Sequence, residues 1–249
     1  MICQAETESV ISHLLNLKLE WRDELSDDER KTLNDIFVRT QNFDTDVDIA
    51  TDGQRVTFST LLLEGWAARY KTLRDGRRQI TAFHVPGDFI DLHSFVLKRM
   101  DHGVVALTKC KVAMAPHEAL RKTSETSPHL TRLLWLSTLI DAAIHREWIT
   151  GMGQRSAHGR LGHLFCELYL RLSSVSLAGD HRFTFPITQE ELGDALGFST
   201  VHINRALRKL REMNLVKVSN QEVVIENWEG LVREAEFDPA YLHLEHEPR

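Results

Sequence analysis

The spacing of apolar positions changes character along the chain, and each change marks a different kind of element. Residues 6–40 read as helical, with Ser26 ahead of Asp27, Asp28 and Glu29 as a helix start: a capping hydroxyl followed by acids in the first turn. From about 43 to 116 the runs shorten and alternate: RVTFSTLLL, WAARYKTL, QITAFHV, GVVALT and KVAMA. Turn signals at Asp52-Gly53, Asp75-Gly76 and Pro86-Gly87 separate them, which predicts a small barrel or sandwich. LRDGRRQI predicts a tight hairpin, because Asp-Gly supplies the positive φ angles such a turn requires. Between Pro128 and Arg155, Leu133, Leu136, Ile140, Ile144 and Trp148 recur at three- and four-residue steps on one side of a helix. That stripe has two readings, a core helix of one chain or the seam of a two-stranded coiled coil. Gly151 and Gly153 are expected to loosen or end it. A second amphipathic helix, GRLGHLFCELYLRL, follows, and a C-terminal domain is expected to begin near Ser156.

The sharpest local signal lies between Pro186 and Ile225. Thr188 and Glu191 form the pattern of a capping box opening the short helix QEELGDAL, whose Leu192, Ala195 and Leu196 point inward. Gly197 allows a sharp turn, Phe198 packs beneath it, and Ser199 caps a second helix, TVHINRALRKLREM. Ile203, Leu207 and Leu210 would anchor that helix, leaving Thr200, Val201, Asn204, Arg205 and Arg208 outward. LVKVSNQEVVIE then predicts a hairpin turning at Ser219-Asn220. Helix, glycine turn, basic helix and hairpin together are the pattern of a winged helix-turn-helix. Separately, two amphipathic helices and a hairpin would be no more than a small domain.

Charge sharpens this reading. The net charge of −6 speaks against general polyanion binding, since phosphate attraction dominates DNA affinity. Its distribution is uneven. Residues 1–50 carry 12 acidic against 5 basic side chains, whereas residues 199–217 carry Arg205, Arg208, Lys209, Arg211 and Lys217 against Glu212 alone. One compact basic segment in an acidic chain favours a localised DNA-contacting face. The three cysteines, Cys3, Cys110 and Cys166, have no CxxC spacing, so neither a disulfide framework nor a four-cysteine iron–sulfur cluster is expected. With no signal peptide and no apolar run of about 18 residues, a cytoplasmic protein without a membrane partner is expected. The absence of a Gly-rich phosphate loop, GxSxG or HExxH argues against an enzyme.

ITQEELGDALGFSTVHINRALRKLRE with its wing, the segment LLLEGWAARYKTLRDGRRQITAFHVPGDFI and the long helix between them resemble the Crp/Fnr family of bacterial regulators over nearly the whole chain. The resemblance implies an α+β fold. Residues 1–127 would form a sensor domain with a β-roll (double-stranded β-helix, jelly-roll-like) of the cyclic-nucleotide-binding type. Residues 128–155 would be a dimerisation helix, and 156–249 a winged helix-turn-helix domain. It turns the apolar stripe into a dimer seam and implies a homodimer on palindromic double-stranded DNA, with RNA polymerase as a further partner. Arg205 matches the position that reads guanine O6 and N7, a contact worth about 1–3 kcal/mol of discrimination. Val201 stands where family members place a glutamate, so the half-site should differ from that of the cyclic-AMP-responsive members. Gln189 and Ser199 match phosphate-touching positions. His202, Asn204 and Lys209 complete the expected DNA face.

The sensor departs from the family pattern. Asp91-Leu92-His93 and Met100-Asp101-His102-Gly103 stand where the phosphate cassette's Gly-Glu and Arg-Ser pairs would be. An aspartate repels a cyclic phosphate, and Arg99 falls one residue out of place, so cyclic AMP is not expected. An unknown small-molecule effector other than cyclic AMP or an iron–sulfur cluster, or constitutive DNA binding, is expected. His84, Asp88, Asp91, His93 and His102 fall within nineteen residues and offer imidazole and carboxylate ligands. No HxH or HxxxH spacing pairs them, and the sequence assigns neither metal nor cofactor. The alternatives are a ligand module of cyclic-nucleotide type acting through protein partners, or a haem- or metal-dependent sensor. His158, His163 and Cys166 turn to different sides of their helix, and Cys110 reads as an apolar strand position. The acidic N-terminal stretch and the tail FDPAYLHLEHEPR read as peripheral.

Overall fold

The computed structural model describes residues 11–249. Cys3 and residues 6–10 of the expected helical stretch lie outside that range. Contacts divide the chain into two compact units, one through Arg69 with Phe83–Asp141 and His243–Arg249, the other Tyr70–Ala82 with Ala142–Leu242.

Helices α1 (His13–Glu20) and α2 (Asp27–Asp35) precede strands β1 (Arg39–Phe43), β2 (Asp48–Ala50), β3 (Phe58–Glu64), β4 (Ala67–Thr72) and β5 (Arg78–His84), of which the Tyr70–Ala82 part of β4 and β5 counts with the second unit. The short helix α3 (Ser94–Leu97), strands β6 (Gly103–Ala106) and β7 (Cys110–Pro116) and helix α4 (His117–Thr126) complete the first unit. The strands form one sheet in the order β1-β7-β3 and another in the order β2-β6-β4-β5. Strands β3 and β7 pair antiparallel, with Leu61 opposite Ala113. Their side chains alternate between two cores. Leu61, Leu63, Ala113 and Ala115 pack with Leu15, Leu19, Leu33 and Leu130 on the helical side. Leu62 and Val112 pack with Ile90, Met100, Val104 and Ala106 inside the roll. A strand buried on both faces explains why LLL reads as a continuous apolar run.

Two weak strands escape sequence reading. The RTQNF of β1 is mostly exposed, and DIA of β2 is too short to show a period. The N-terminal helices are not peripheral. Ser26 caps its helix as expected and, beyond that, forms a capping box with Glu29. His129 bridges the stretch to the long helix, its Nδ1 lying 2.7 Å from Glu29 and its Nε2 3.0 Å from Asp23. These partners, Asp23 first, raise the imidazole's pKa against the opposing effect of burial.

The long helix α5 runs Pro128–Gln154, straight through Gly151 and Gly153. Each glycine costs about 1 kcal/mol against alanine, which is too little to stop a helix that packs along its length. The backbone ladder continues, with Arg155 N donating to Gly151 O at 3.0 Å. The stripe offered as a dimer seam turns inward: Leu133, Ile140, Ile144 and Trp148 are buried and Leu136 half-buried within the chain itself. The large apolar side chains this helix exposes are Trp135, Leu139, Ile149 and Met152.

The second unit contains α6 (Ala157–Ser173), strands β8 (Ala178–Gly179) and β9 (Arg182–Thr184), α7 (Gln189–Leu196), α8 (Thr200–Glu212), β10 (Val216–Ser219), β11 (Glu222–Ile225) and α9 (Trp228–Glu234). Its sheet runs β10-β11-β9-β8, so the predicted wing is half of a larger sheet. The wing turns at Asn220-Gln221 (φ 52° and 58°), one residue later than expected. Asp180-His181 repeat that geometry (φ 49° and 57°) in the unanticipated β8–β9 hairpin. Two positive φ angles in a two-residue loop match the right-handed twist of the flanking strands. The tail is not peripheral either. Phe237 and Leu242 are buried, and Arg249 N donates to Asp23 at 2.6 Å.

Candidate nucleic-acid interface

Thr188 opens α7 with the expected capping box. Its hydroxyl accepts from Glu191 N at 3.2 Å, and its own N–H donates to the Glu191 carboxylate at 2.7 Å. Leu192, Ala195 and Leu196 are buried beneath the helix. Gly197 takes φ +72° and ends it, and the chain reverses into α8. Ser199 caps α8, accepting from His202 N. A second glycine, unmarked in the sequence reading, sets how closely the two helices approach. A Cβ on Gly193 would lie 2.6 Å from the carbonyl oxygen of Phe198. Gly193 O receives both Gly197 N and Phe198 N, so the turn closes directly onto it. Phe198 is held from the other side by Arg160, whose guanidinium carbon stands 4.6 Å from the ring centroid and whose Nη1 donates to Leu196 O.

Ile203, Ala206 and Leu210 anchor α8, while Leu207 is half-buried rather than buried. Thr200, Val201, His202, Asn204, Arg205, Arg208 and Lys209 are all exposed, as are Gln189 and Ser199. Asn204 Nδ2 donates to Gln189 Oε1 at 2.7 Å and Thr200 O at 3.0 Å, a polar tie between the two helices. Arg208 meets Glu212 only at 3.8 Å on an exposed surface, and such pairs contribute little. The face is therefore basic, solvated and mounted on a rigid helix pair, a geometry suited to the major groove. Within the same unit, Asp194 of α7 accepts from Arg78 at 2.8 Å and its carbonyl from Gln79 at 2.6 Å.

In the first unit the histidine–carboxylate group separates into parts. Asp88 pairs with Lys18 and accepts from Val85 N, with His84 3.9 Å away. Asp91 is buried against Thr60, whose backbone N–H and hydroxyl both donate to it. Desolvation pushes its pKa up to about 7 although both Thr60 hydrogen bonds oppose this. Asp91 is thus a structural carboxyl of the roll. Arg69, from β4, is buried and engaged by Asp141 at 2.8 Å and Ile90 O at 3.2 Å. Arg99 is exposed and donates to Gly53 O. Cys110 is buried with its thiol pKa raised by desolvation, as a packed strand residue should be. Desolvation likewise pushes Cys166 up to about 12. His158 is taken up by Glu234 at 2.7 Å. His93 and His102 do come together, with Asp101, which sequence reading did not single out. Burial, then the Arg69 charge, lowers the pKa of both rings, that of His93 to about 4.

No helix among the described residues is long and apolar enough to cross a membrane. The family model of the cyclic nucleotide-binding domain matches residues 40–127, and that of the Crp-like helix-turn-helix domain matches residues 159–234. The transcriptional activator protein FnrL of Cereibacter sphaeroides is 24% identical over 190 residues, spanning 75% of this chain and 76% of its own. The nitrogen fixation regulation protein FixK of Bradyrhizobium diazoefficiens is 28% identical over 162 residues, 63% of this chain and 65% of its own. The solved structure of FixK2 from Bradyrhizobium japonicum superposes with a TM-score of 0.71 at 24% identity, covering 78% of this chain and 96% of that one. With the β-roll, the long helix and the helix-turn-helix in that order, the chain belongs to the Crp/Fnr family of DNA-binding transcription regulators.

Proposed function

We propose that the chain acts as a cytoplasmic homodimer on a palindromic operator, each copy placing α8 in a major groove. The observation that carries this reading is the exposed basic face of α8, with Arg205 at its centre and Val201 56% exposed one turn earlier. Arg205 would donate to guanine O6 and N7, and Val201 would pack against a thymine methyl. Gln189, Ser199 and Lys209 would hold phosphates, with Thr200, His202, Asn204 and Arg208 at the groove edge. Residues 1–127 would sense, 128–155 dimerise and 156–249 bind DNA, with RNA polymerase as the partner at the promoter.

The dimer seam falls on the outer side of α5. Trp135 is 63% exposed, Leu139 51% and Ile149 67%, and steps of four and ten residues keep them on one helical face. A helix apolar on both sides needs a partner for the side its own chain leaves open. The buried Asp91 carboxyl and the engagement of Arg69 by Asp141 and Ile90 O leave little to hold a cyclic phosphate, which supports an effector other than cyclic AMP.

Selection of binding sites from random duplex DNA by the purified chain tests this reading. It should return one inverted repeat with half-site centres roughly 34–36 Å apart. Trp135→Glu should sediment as a monomer and bind that repeat on the order of 10²-fold more weakly, because the second half-site is no longer tethered. Recovery of unrelated sequences, or a Trp135→Glu dimer with full affinity, would contradict it.

A further inference from the structure

We propose that His93 and His102 bind one first-row divalent metal ion of the Zn2+ class inside the sensor domain, with the Asp101 carboxylate holding the far nitrogen of His102. His93 stands at the entry of α3 and His102 immediately before β6. Lys98, at the end of α3, takes a left-handed φ of 66°, reversing the chain between them. The two imidazole centroids are 5.0 Å apart. One ligand atom from each of His93, Asp101 and His102 lies within 4.8 Å of the other two. Zn–N bonds of about 2.0–2.1 Å at tetrahedral angles need ligand atoms roughly 3.3 Å apart, so small side-chain rotations close the site.

The rings of His93 and His102 combine this proximity with unpartnered nitrogens. His102 is 6% exposed, and its Nδ1 lies 2.6 Å from Asp101 Oδ1. With Nδ1–H donating to that carboxylate oxygen, the neutral ring carries its lone pair on Nε2. That buried Nε2 has no hydrogen-bond partner, and neither has Nε2 of His93. Two buried imidazole nitrogens without hydrogen-bond partners in one small volume are a costly arrangement for a protein alone. With a cation they become its ligands. A carboxylate gripping the far nitrogen of a ligating histidine also fixes its tautomer and raises its basicity. The nearby charges are Arg69, Asp141 and Asp101; Arg69 acts most strongly on the rings and is itself paired with Asp141 at 2.8 Å. Imidazole and carboxylate suit zinc, iron, cobalt or nickel, and two histidines leave coordination positions open to water or an exogenous ligand.

The test is titration of tag-free, chelator-treated full-length protein with Co2+, followed by its visible d–d absorption and then displaced by Zn2+. One equivalent per chain is expected. His93→Gln and His102→Gln should abolish the spectral signature while the metal-free far-ultraviolet circular dichroism stays unchanged. Asp101→Asn, at a side chain 76% exposed and so safe for folding, should weaken binding by roughly 10–100-fold. If Co2+ gives no signature in the wild-type chain, the proposal fails. It fails equally if binding persists unchanged in Asp101→Asn and in whichever histidine variant folds, since the ion would then be adventitious and held elsewhere. Neither readout depends on DNA, so the outcome is independent of the operator reading.

Discussion

Glu167→Ala is expected to lower the unfolding free energy by about 3–5 kcal/mol, the usual cost of removing one partner from a buried ion pair. Glu167 is fully buried on α6. Its carboxylate accepts from Arg171 Nη1 at 2.9 Å, Trp148 Nε1 at 3.1 Å and the Tyr241 hydroxyl at 3.0 Å. Burial raises its pKa while these partners oppose the rise. Truncation leaves three desolvated donors facing a cavity. Glu167→Gln keeps an acceptor oxygen but loses the charge opposite Arg171, so its loss should be smaller. Urea unfolding monitored by tryptophan fluorescence measures both. A Glu167→Ala midpoint close to wild type would mean that water reaches the carboxylate. The network also explains why the tail belongs to the fold, since Tyr241 supplies one of its donors.

The second large effect is expected at Gly193. In Gly193→Ala the new methyl group would stand 2.6 Å from Phe198 O, within the same turn that Gly197 and Phe198 close by donating to Gly193 O. Backbone cannot rotate aside as a flexible side chain would, so α7 and α8 must move apart. Overpacking of this kind costs about 1–3 kcal/mol. The displacement also moves α8 relative to the Gln189 and Ser199 phosphate contacts, so operator affinity should fall more than stability alone accounts for. A variant with wild-type melting and wild-type affinity would show that the helices do not approach this closely.

What could be read from the chain followed the strength of its periodicity. The Ser26 N-cap, the Thr188 capping box, the Gly197 turn and the outward set on α8 are local signals, each carried by a few adjacent residues, and the structure has them where the pattern put them. Strands β1, β2, β8 and β9 carried no such signal, because they are short or exposed and owe their pairing to neighbours distant in sequence. The α5 stripe illustrates a different limit. Periodicity finds an apolar face but cannot say whether the chain's own core or a second copy covers it. A helix apolar on two sides offered two faces, and burial assigned Leu133, Ile140, Ile144 and Trp148 to the inside. The pairing of His93 with His102 depends on the chain reversal at Lys98, which no spacing rule encodes.

The most direct test of the central claim is to compare wild-type and Arg205→Ala binding to the selected operator and to a scrambled duplex, each at two salt concentrations. Arg205→Ala should lose about 1–3 kcal/mol on the operator, relax the preference at one guanine, and leave binding to the scrambled duplex much less affected. Lys209→Ala should instead weaken both duplexes alike and lower the salt slope by about one. If Arg205→Ala keeps the wild-type ratio between operator and scrambled DNA, α8 is not the helix that reads the sequence.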